Sequence, residues 1–233
     1  MRMRLRQIVM VAADLEAAEH RVETQLDVEL CYRDPGVGAF GLRNALFPIG
    51  EQLLEIVSPL REGTTAGRLL DKRGGDGGYM VILEVDDLTP LRERFEQLGV
   101  RVVLEAAVDG IVGLHLHPAD VGGAILSVDR TDVWGEWPWA GPVWRQHVRR
   151  EVVSAVLAVV VEAADPDAMA ARWAEVLGRR ADGRTVALDE GEIRFVPAGP
   201  RGEGVGGFVL RATEARGAGR TEICGCTFEL VAP

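Results

Sequence analysis

The stretch Arg6-Gln-Ile-Val-Met-Val-Ala-Ala-Asp14-Leu15 decides the fold, because it recurs. Tyr79-Met-Val-Ile-Leu-Glu-Val-Asp-Asp87-Leu88 and Leu157-Ala-Val-Val-Val-Glu-Ala-Ala-Asp165-Pro166 repeat its pattern: a short apolar strand, an acidic residue, then the start of an amphipathic helix. The copies lie ~75 residues apart, and a unit returning at a steady interval signals a fold assembled from modules.

Each copy continues in the same way. Asp14 is a suitable helix N-cap, and Leu15, Ala18, Val22 and Leu26 follow at the spacing of one buried helical face. Strands are then expected at Val28–Arg33, Phe40–Pro48 and Gln52–Val57, with a turn at Asp34-Pro-Gly. In the second copy Asp87 or Thr89 caps, Pro90 sits in the first turn, Leu91, Phe95 and Leu98 face inward and Gly99 ends the helix. Its strands are expected at Val100–Leu104, Ile111–His117 and Ala124–Val128. The third copy has Asp165 as cap, Trp173, Val176 and Leu177 inward, and strands near Thr185–Leu188 and Ile193–Val196. Gly206–Ala212 and Thr221–Val231 supply two further strands without a helix, a truncated fourth unit.

The expected organisation is thus α+β, with tandem βαβββ modules: residues 1–62 and 77–130 forming a first domain, 131–150 a linker, and 151–233 a second, degenerate domain. The linker, Val133-Trp-Gly-Glu-Trp-Pro-Trp-Ala-Gly-Pro-Val-Trp144, holds four of the five tryptophans. Two readings stand: its rings fill the seam between domains, or it forms a lid over a ligand site. The glycines of Gly74-Gly-Asp-Gly-Gly78 precede a strand rather than follow one, which argues for a flexible joint and against a phosphate cradle.

A net charge of -10 excludes the clustered positive surface that nucleic acid or an anionic membrane requires. Three cysteines are too few for a disulfide framework, and Cys224-Gly-Cys226 lacks the spacing of a zinc site. The apolar run Ile8–Ala13 is shorter than a signal-peptide core, and Val152–Ala164 falls short of a membrane span, so a cytoplasmic protein is expected.

Leu42-Arg-Asn-Ala-Leu-Phe-Pro-Ile-Gly50, Leu53-Leu-Glu-Ile-Val-Ser-Pro59 and Leu116-His-Pro-Ala-Asp-Val-Gly-Gly-Ala-Ile-Leu126, taken in order with the strand-Asp-helix openings, resemble the vicinal oxygen chelate superfamily. That superfamily comprises glyoxalases, bleomycin-resistance proteins, methylmalonyl-CoA epimerases and extradiol dioxygenases. The resemblance implies that paired modules curl their mixed sheets into a cup with the helices outside. It also implies a divalent metal held by residues on the first and fourth strands of each module.

Those positions fall on Gln7 and Met80 on the first strands and on Glu55 and Ser127 on the fourth. Strand alternation puts Gln7, Val9 and Val11 on one face. Gln7 and Glu55 offer hard oxygen donors for Mn, Ni, Fe, Co, Zn or Mg, whereas Met80 is a soft ligand and Ser127 a weak one. In the third copy the corresponding positions, Ala158 and the Arg194–Val196 stretch, offer no ligand set. His115 and His117, two apart on an expected strand, are candidate replacement ligands or else a wall residue and a strand-end turn. Glu84 shares the parity of Met80 and is the candidate acid or base; Asn44 is a candidate ligand-binding group.

The expected function is therefore a glyoxalase-like protein that takes a small organic molecule into its N-terminal cup. One version is a metal-dependent lyase, isomerase or dioxygenase-type enzyme, in which the metal stabilises an enolate while a carboxylate moves the proton. The alternative is a metal-free, drug-sequestering protein of the bleomycin-resistance type, in which Met80 and Ser127 simply widen the cavity. Pairing into a homodimer is compatible with either.

Overall fold

A computed structural model of the chain describes residues 1–214 and 217–233. The described residues form two seven-stranded mixed sheets, each curled into a half-barrel and flanked by helices. The first sheet comprises β1 (Met3–Val11), β2 (Leu42–Ile49), β3 (Gln52–Pro59), β4 (Gly77–Val85), β5 (Val102–Val108), β6 (Ile111–Leu116) and β7 (Ile125–Thr131). Its order is β2-β3-β1-β4-β7-β6-β5. The second comprises β8 (Val153–Ala163), β9 (Ala181–Asp182), β10 (Thr185–Ala187), β11 (Glu192–Pro197), β12 (Gly204–Ala212), β13 (Gly219–Ile223) and β14 (Cys226–Val231), in the order β13-β14-β12-β8-β11-β10-β9.

Both sheets obey one rule. The first strand of each module pairs in parallel with its last, as β1 with β3 and β4 with β7, and the two first strands pair antiparallel at the centre. The second sheet repeats this with β8 parallel to β11, β12 parallel to β14, and β8 antiparallel to β12. The repeat read in the sequence is therefore the symmetry of the fold.

The helices follow from local chemistry. α1 (Leu15–Leu26) and α5 (Pro166–Leu177) start at Asp14 and Asp165, whose carboxylates accept from the amides of Ala17 and Ala168. α3 (Thr89–Leu98) ends at left-handed Gly99, and the short α4 (Pro118–Val121) begins at His117. The apolar faces of α1, α3 and α5 join the helix-facing sides of both sheets in one core that includes Ile8, Phe47, Leu83, Phe95, Trp173 and Phe208. The sheets approach so closely at Gly78 that a Cβ there would lie 2.4 Å from the Val205 side chain. That approach is the physical use of a glycine expected to be a flexible joint; Gly74 caps a helix, and Gly77 and Gly78 open β4.

Three local expectations need correction. Val28–Arg33 is not a strand: Asp27 is left-handed at one end and the Asp34-Pro35-Gly36 turn cuts in at the other. Only two backbone bonds to Leu46, from Cys31 and to Tyr32, remain of the pairing, so the first module has three strands. A helix absent from the sequence reading, α2 (Thr65–Arg73), is nucleated by the Thr64 cap and stopped by Gly74. It escapes an apolar-periodicity search because it buries only Ala66 and Arg73. Thr221–Val231 is not one strand but a hairpin, β13 and β14, turning at left-handed Cys224 and Gly225. Among the described residues no helix is long and apolar enough to cross a membrane.

Candidate functional site

The concave face of the first sheet carries every second residue of its strands, and this is where the candidate residues sit. Val9, Val11, Leu46, Leu53, Met80 and Ile82 form an apolar wall, separate from the main core. Met80 is a wall residue there, opposite Val9 and Ile125. Irregular pairing between Leu5 and Gln7 lets both Arg6 and Gln7 reach the same face, which strict alternation would forbid.

Gln7, Glu55 and Asn44 come together in one buried network. The Gln7 amide donates to one Glu55 oxygen at 2.7 Å and the Asn44 amide to the other at 2.6 Å. Asn44 is itself oriented by the Asp34 backbone amide, 2.8 Å from its carbonyl oxygen. Burial raises the Glu55 carboxyl to about 7, with the Asn44 and Gln7 amides opposing.

The tryptophan-rich stretch closes this cup. Trp137 is 1% exposed and its indole donates to the Gln7 side-chain oxygen at 2.7 Å. Trp139 donates to Asp129 at 2.8 Å, and Trp144 is buried in the same apolar cluster. Pro138 and Gly141 break the stretch into two single 3-10 turns, which lets three rings point into one concavity as no regular helix would. Both ends are tied down: the Gly135 amide donates to Glu84 at 2.8 Å and its carbonyl accepts from Arg6 at 2.8 Å, while His147 and Arg149 pair with Glu29.

A second network lies on β7. Ser127 donates to Asp129, whose other oxygen takes the Trp139 indole. Burial raises Asp129 to about 7, with the Ser127 and Trp139 hydrogen bonds opposing. A third network holds Glu84, fully buried: it accepts from Arg4 at 2.8 Å, Thr131 at 2.9 Å and the Gly135 amide, with Arg6 Nε 3.5 Å away. Both oxygens of Glu84 are engaged by cations and fixed donors, which makes it an anchor for the tryptophan stretch. Burial lowers the Arg6 guanidinium to about 10, partly countered by Glu84, and it lies 5.0 Å from the Trp137 ring and 5.2 Å from the Trp144 ring.

The two histidines do not join Gln7 and Glu55. His115 does face the cup, beside Ser127, but β6 lies three strands from β1, ~14 Å along the sheet. Burial lowers its imidazole to about 4, so it is neutral. His117 has left the strand: it caps α4, its Nδ1 accepting the Ala119 amide at 3.1 Å. The residues missed by sequence reading are Asp129, Trp137 and Arg6. Asp129 was within reach, since it shares the parity of Ser127; the other two depend on a bulge and on the path of a loop.

The expected divalent metal does not fit this donor set. The Gln7 carbonyl oxygen faces an indole N–H, both Glu55 oxygens are occupied by amide donors, and Met80 and Ser127 add no hard anionic ligand. Among the described residues no group of three or more His, Cys, Asp or Glu is placed to hold an ion.

Known proteins resemble this chain both in part and over its whole length. An ethylmalonyl-CoA/methylmalonyl-CoA epimerase of Cereibacter sphaeroides is 26% identical over 137 residues, 54% of this chain and 97% of the epimerase. A Streptomyces coelicolor methylmalonyl-CoA epimerase variant, solved with 2-nitronate-propionyl-CoA, matches 56% of this chain and 98% of its own, with a TM-score of 0.50 at 21% identity. A hypothetical protein from Staphylococcus aureus covers 100% of both chains with a TM-score of 0.75 at 11% identity, so the whole two-sheet fold has a solved counterpart. The family model described as a glyoxalase-like domain matches residues 8–177, and with the repeated modules and the cup in place the chain belongs to the glyoxalase-like family of the vicinal oxygen chelate superfamily.

Proposed function

We propose that this protein binds a small organic molecule in its N-terminal cup without a metal, in competition with its own tryptophan stretch. The observation that carries this reading is the Trp137 indole inside the cup, hydrogen-bonded to Gln7, a position that the superfamily resemblance assigns to a metal ligand. The ring stands where a ligand would stand: against an apolar wall, over one polar triad, shielded from water. A ligand that displaces it gains that surface and must overcome the cost of opening the stretch, so apparent affinity scales with the open fraction.

Replacing Trp137 by Gly tests this. The variant vacates an indole-sized space lined by the cup wall, and calorimetric titration with small aromatic molecules is expected to show saturable one-to-one binding, weaker in the wild type. A variant that unfolds cooperatively yet binds no small aromatic molecule would sink the proposal.

A second reading rests on Glu55 and Asp129. Glu55 of the first module and Asp129 of the second face the cup, each raised to about 7, in the range where a group both takes and returns a proton at neutral pH. With the epimerase likeness this supports an isomerase that moves a proton next to a carbonyl. Exchange of the α-hydrogen of methylmalonyl-CoA in heavy water, followed by NMR, checks it. Turnover abolished by Glu55→Gln supports the enzyme; turnover unchanged in Glu55→Gln and Asp129→Asn argues against it.

A further inference from the structure

The polarity of the cup floor selects its ligand. Glu55, when ionised, has only acceptor oxygens, and both are taken by amide N–H groups, from Gln7 at 2.7 Å and Asn44 at 2.6 Å. Committing the Gln7 NH2 to Glu55 fixes the direction of the Gln7 side chain, so its carbonyl oxygen points into the cup. The Asn44 carbonyl is spoken for by the Asp34 amide, which fixes the far end of the relay as well. The floor therefore presents one buried acceptor that needs a donor, and an acceptor group placed there would meet it lone pair to lone pair. The indole N–H of Trp137 meets that need in the closed protein.

The walls add a second constraint. The Arg6 guanidinium, fully buried, is 5.0 Å from the Trp137 ring and 5.2 Å from the Trp144 ring, so it lies against aromatic faces on the cup side. Its charge is countered by Glu84, 3.5 Å away, and its hydrogen bonds go to the Glu51 and Gly135 carbonyls, so an anionic ligand is not required there. What leaves when Trp137 leaves is a π-face over a cation and one N–H donor. The remaining surroundings, Val9, Leu46, Leu53, Met80 and Ile82, are apolar.

We propose that the cup is selective for flat nitrogen heteroaromatics that carry a ring N–H, with Gln7 as the residue that reads the donor and Arg6 as the one that covers the ring face. This rests on the reading of the cup as a ligand site closed by its own tryptophan. It adds the chemical class of the occupant.

Indole and indene separate the two claims, because indene has the same shape with a CH2 in place of the N–H. Both are titrated into Trp137→Gly, and indole is expected to bind at least about tenfold more tightly, the effect of leaving the Gln7 oxygen unpaired. Adding Gln7→Leu should erase that preference while indene binding persists. Equal affinity for indole and indene in Trp137→Gly overturns the selectivity for N–H donors and leaves the cup reading intact. Binding of neither overturns both. Because the comparison is made within a single folded variant, it does not depend on the double variant folding.

Discussion

The two sheets share one topology and differ in what their concave faces hold. At the four positions that the superfamily assigns to ligands, the first sheet has Gln7, Glu55, Met80 and Ser127, three of them polar and all buried. In the second sheet, pairing registers place Ala158 and Arg194 at the positions of Gln7 and Glu55. Arg194 is exposed and paired with Glu192 at 2.6 Å in solvent. The same strand order thus forms with or without a polar floor. Buried polar groups cost free energy unless fully bonded, so the networks of the first cup are an addition to the fold and not a condition of it. That contrast is the physical reason to look for a ligand in the first half.

The sharpest way to break the comparison is at Glu84. Glu84→Ala leaves Arg4 and Arg6 buried beside each other without their carboxylate and removes the anchor of the Gly135 amide. A loss of ~3–5 kcal/mol is expected from urea unfolding, accompanied by exposure of the tryptophans in fluorescence. A loss under ~1 kcal/mol would mean that the cup does not depend on this ion cluster.

The next effect is a pH dependence. Burial holds the protons of Glu55 and Asp129 to about 7 in the folded protein, while their ordinary values are 4.5 and 3.8. Their contribution to stability is therefore full below the ordinary values and is lost as the pH rises through about 7, by up to ~3 kcal/mol each. His115 acts in the opposite sense: lowered from 6.5 to about 4, it contributes stability that is lost as the pH falls through that window. Urea midpoints are expected to fall between about pH 4.5 and 7 and to level off above it, and Glu55→Gln with Asp129→Asn should flatten that fall. An unchanged slope in the double variant would place the titrating groups elsewhere.

The smaller effects lie where the halves are expected to differ least from an ordinary surface. Arg194→Ala, at the register equivalent of Glu55, should shift stability by no more than ~0.5 kcal/mol, because it breaks only an exposed pair. The smallest expected effect is that of metal. Millimolar Mn, Ni or Zn should leave the melting temperature unchanged, and elemental analysis should find no stoichiometric ion. Stoichiometric binding that disappears in Glu55→Ala would instead show that the donors now facing Trp137 and Asn44 reorganise around a cation.

Much of this was legible in the chain because it is periodic or local. The strand-Asp-helix openings at Asp14 and Asp165 report a cap that a single carboxylate completes, and counting along alternating strands placed Gln7, Glu55, Met80, Glu84 and Ser127 on the concave face. Val28–Arg33 was misread because its alternation is real but its ends are bent out of register by Asp27 and by the Asp34-Pro35 turn. His117 was misread because Pro118 begins a helical turn that the histidine caps. Arg6 was invisible because a bulge has no signature in alternation.

The sequence by itself determined the modular α+β fold, the pairing of modules and the face on which the polar residues lie, since caps, periods and parity act over a few residues. Only the tertiary structure decided what fills the cup. Trp137 lies 130 residues from Gln7 in the chain, and no local rule joins them. Their contact depends on the curl of the sheet, on turns that break at Pro138 and Gly141, and on the need of a buried carbonyl oxygen for a donor.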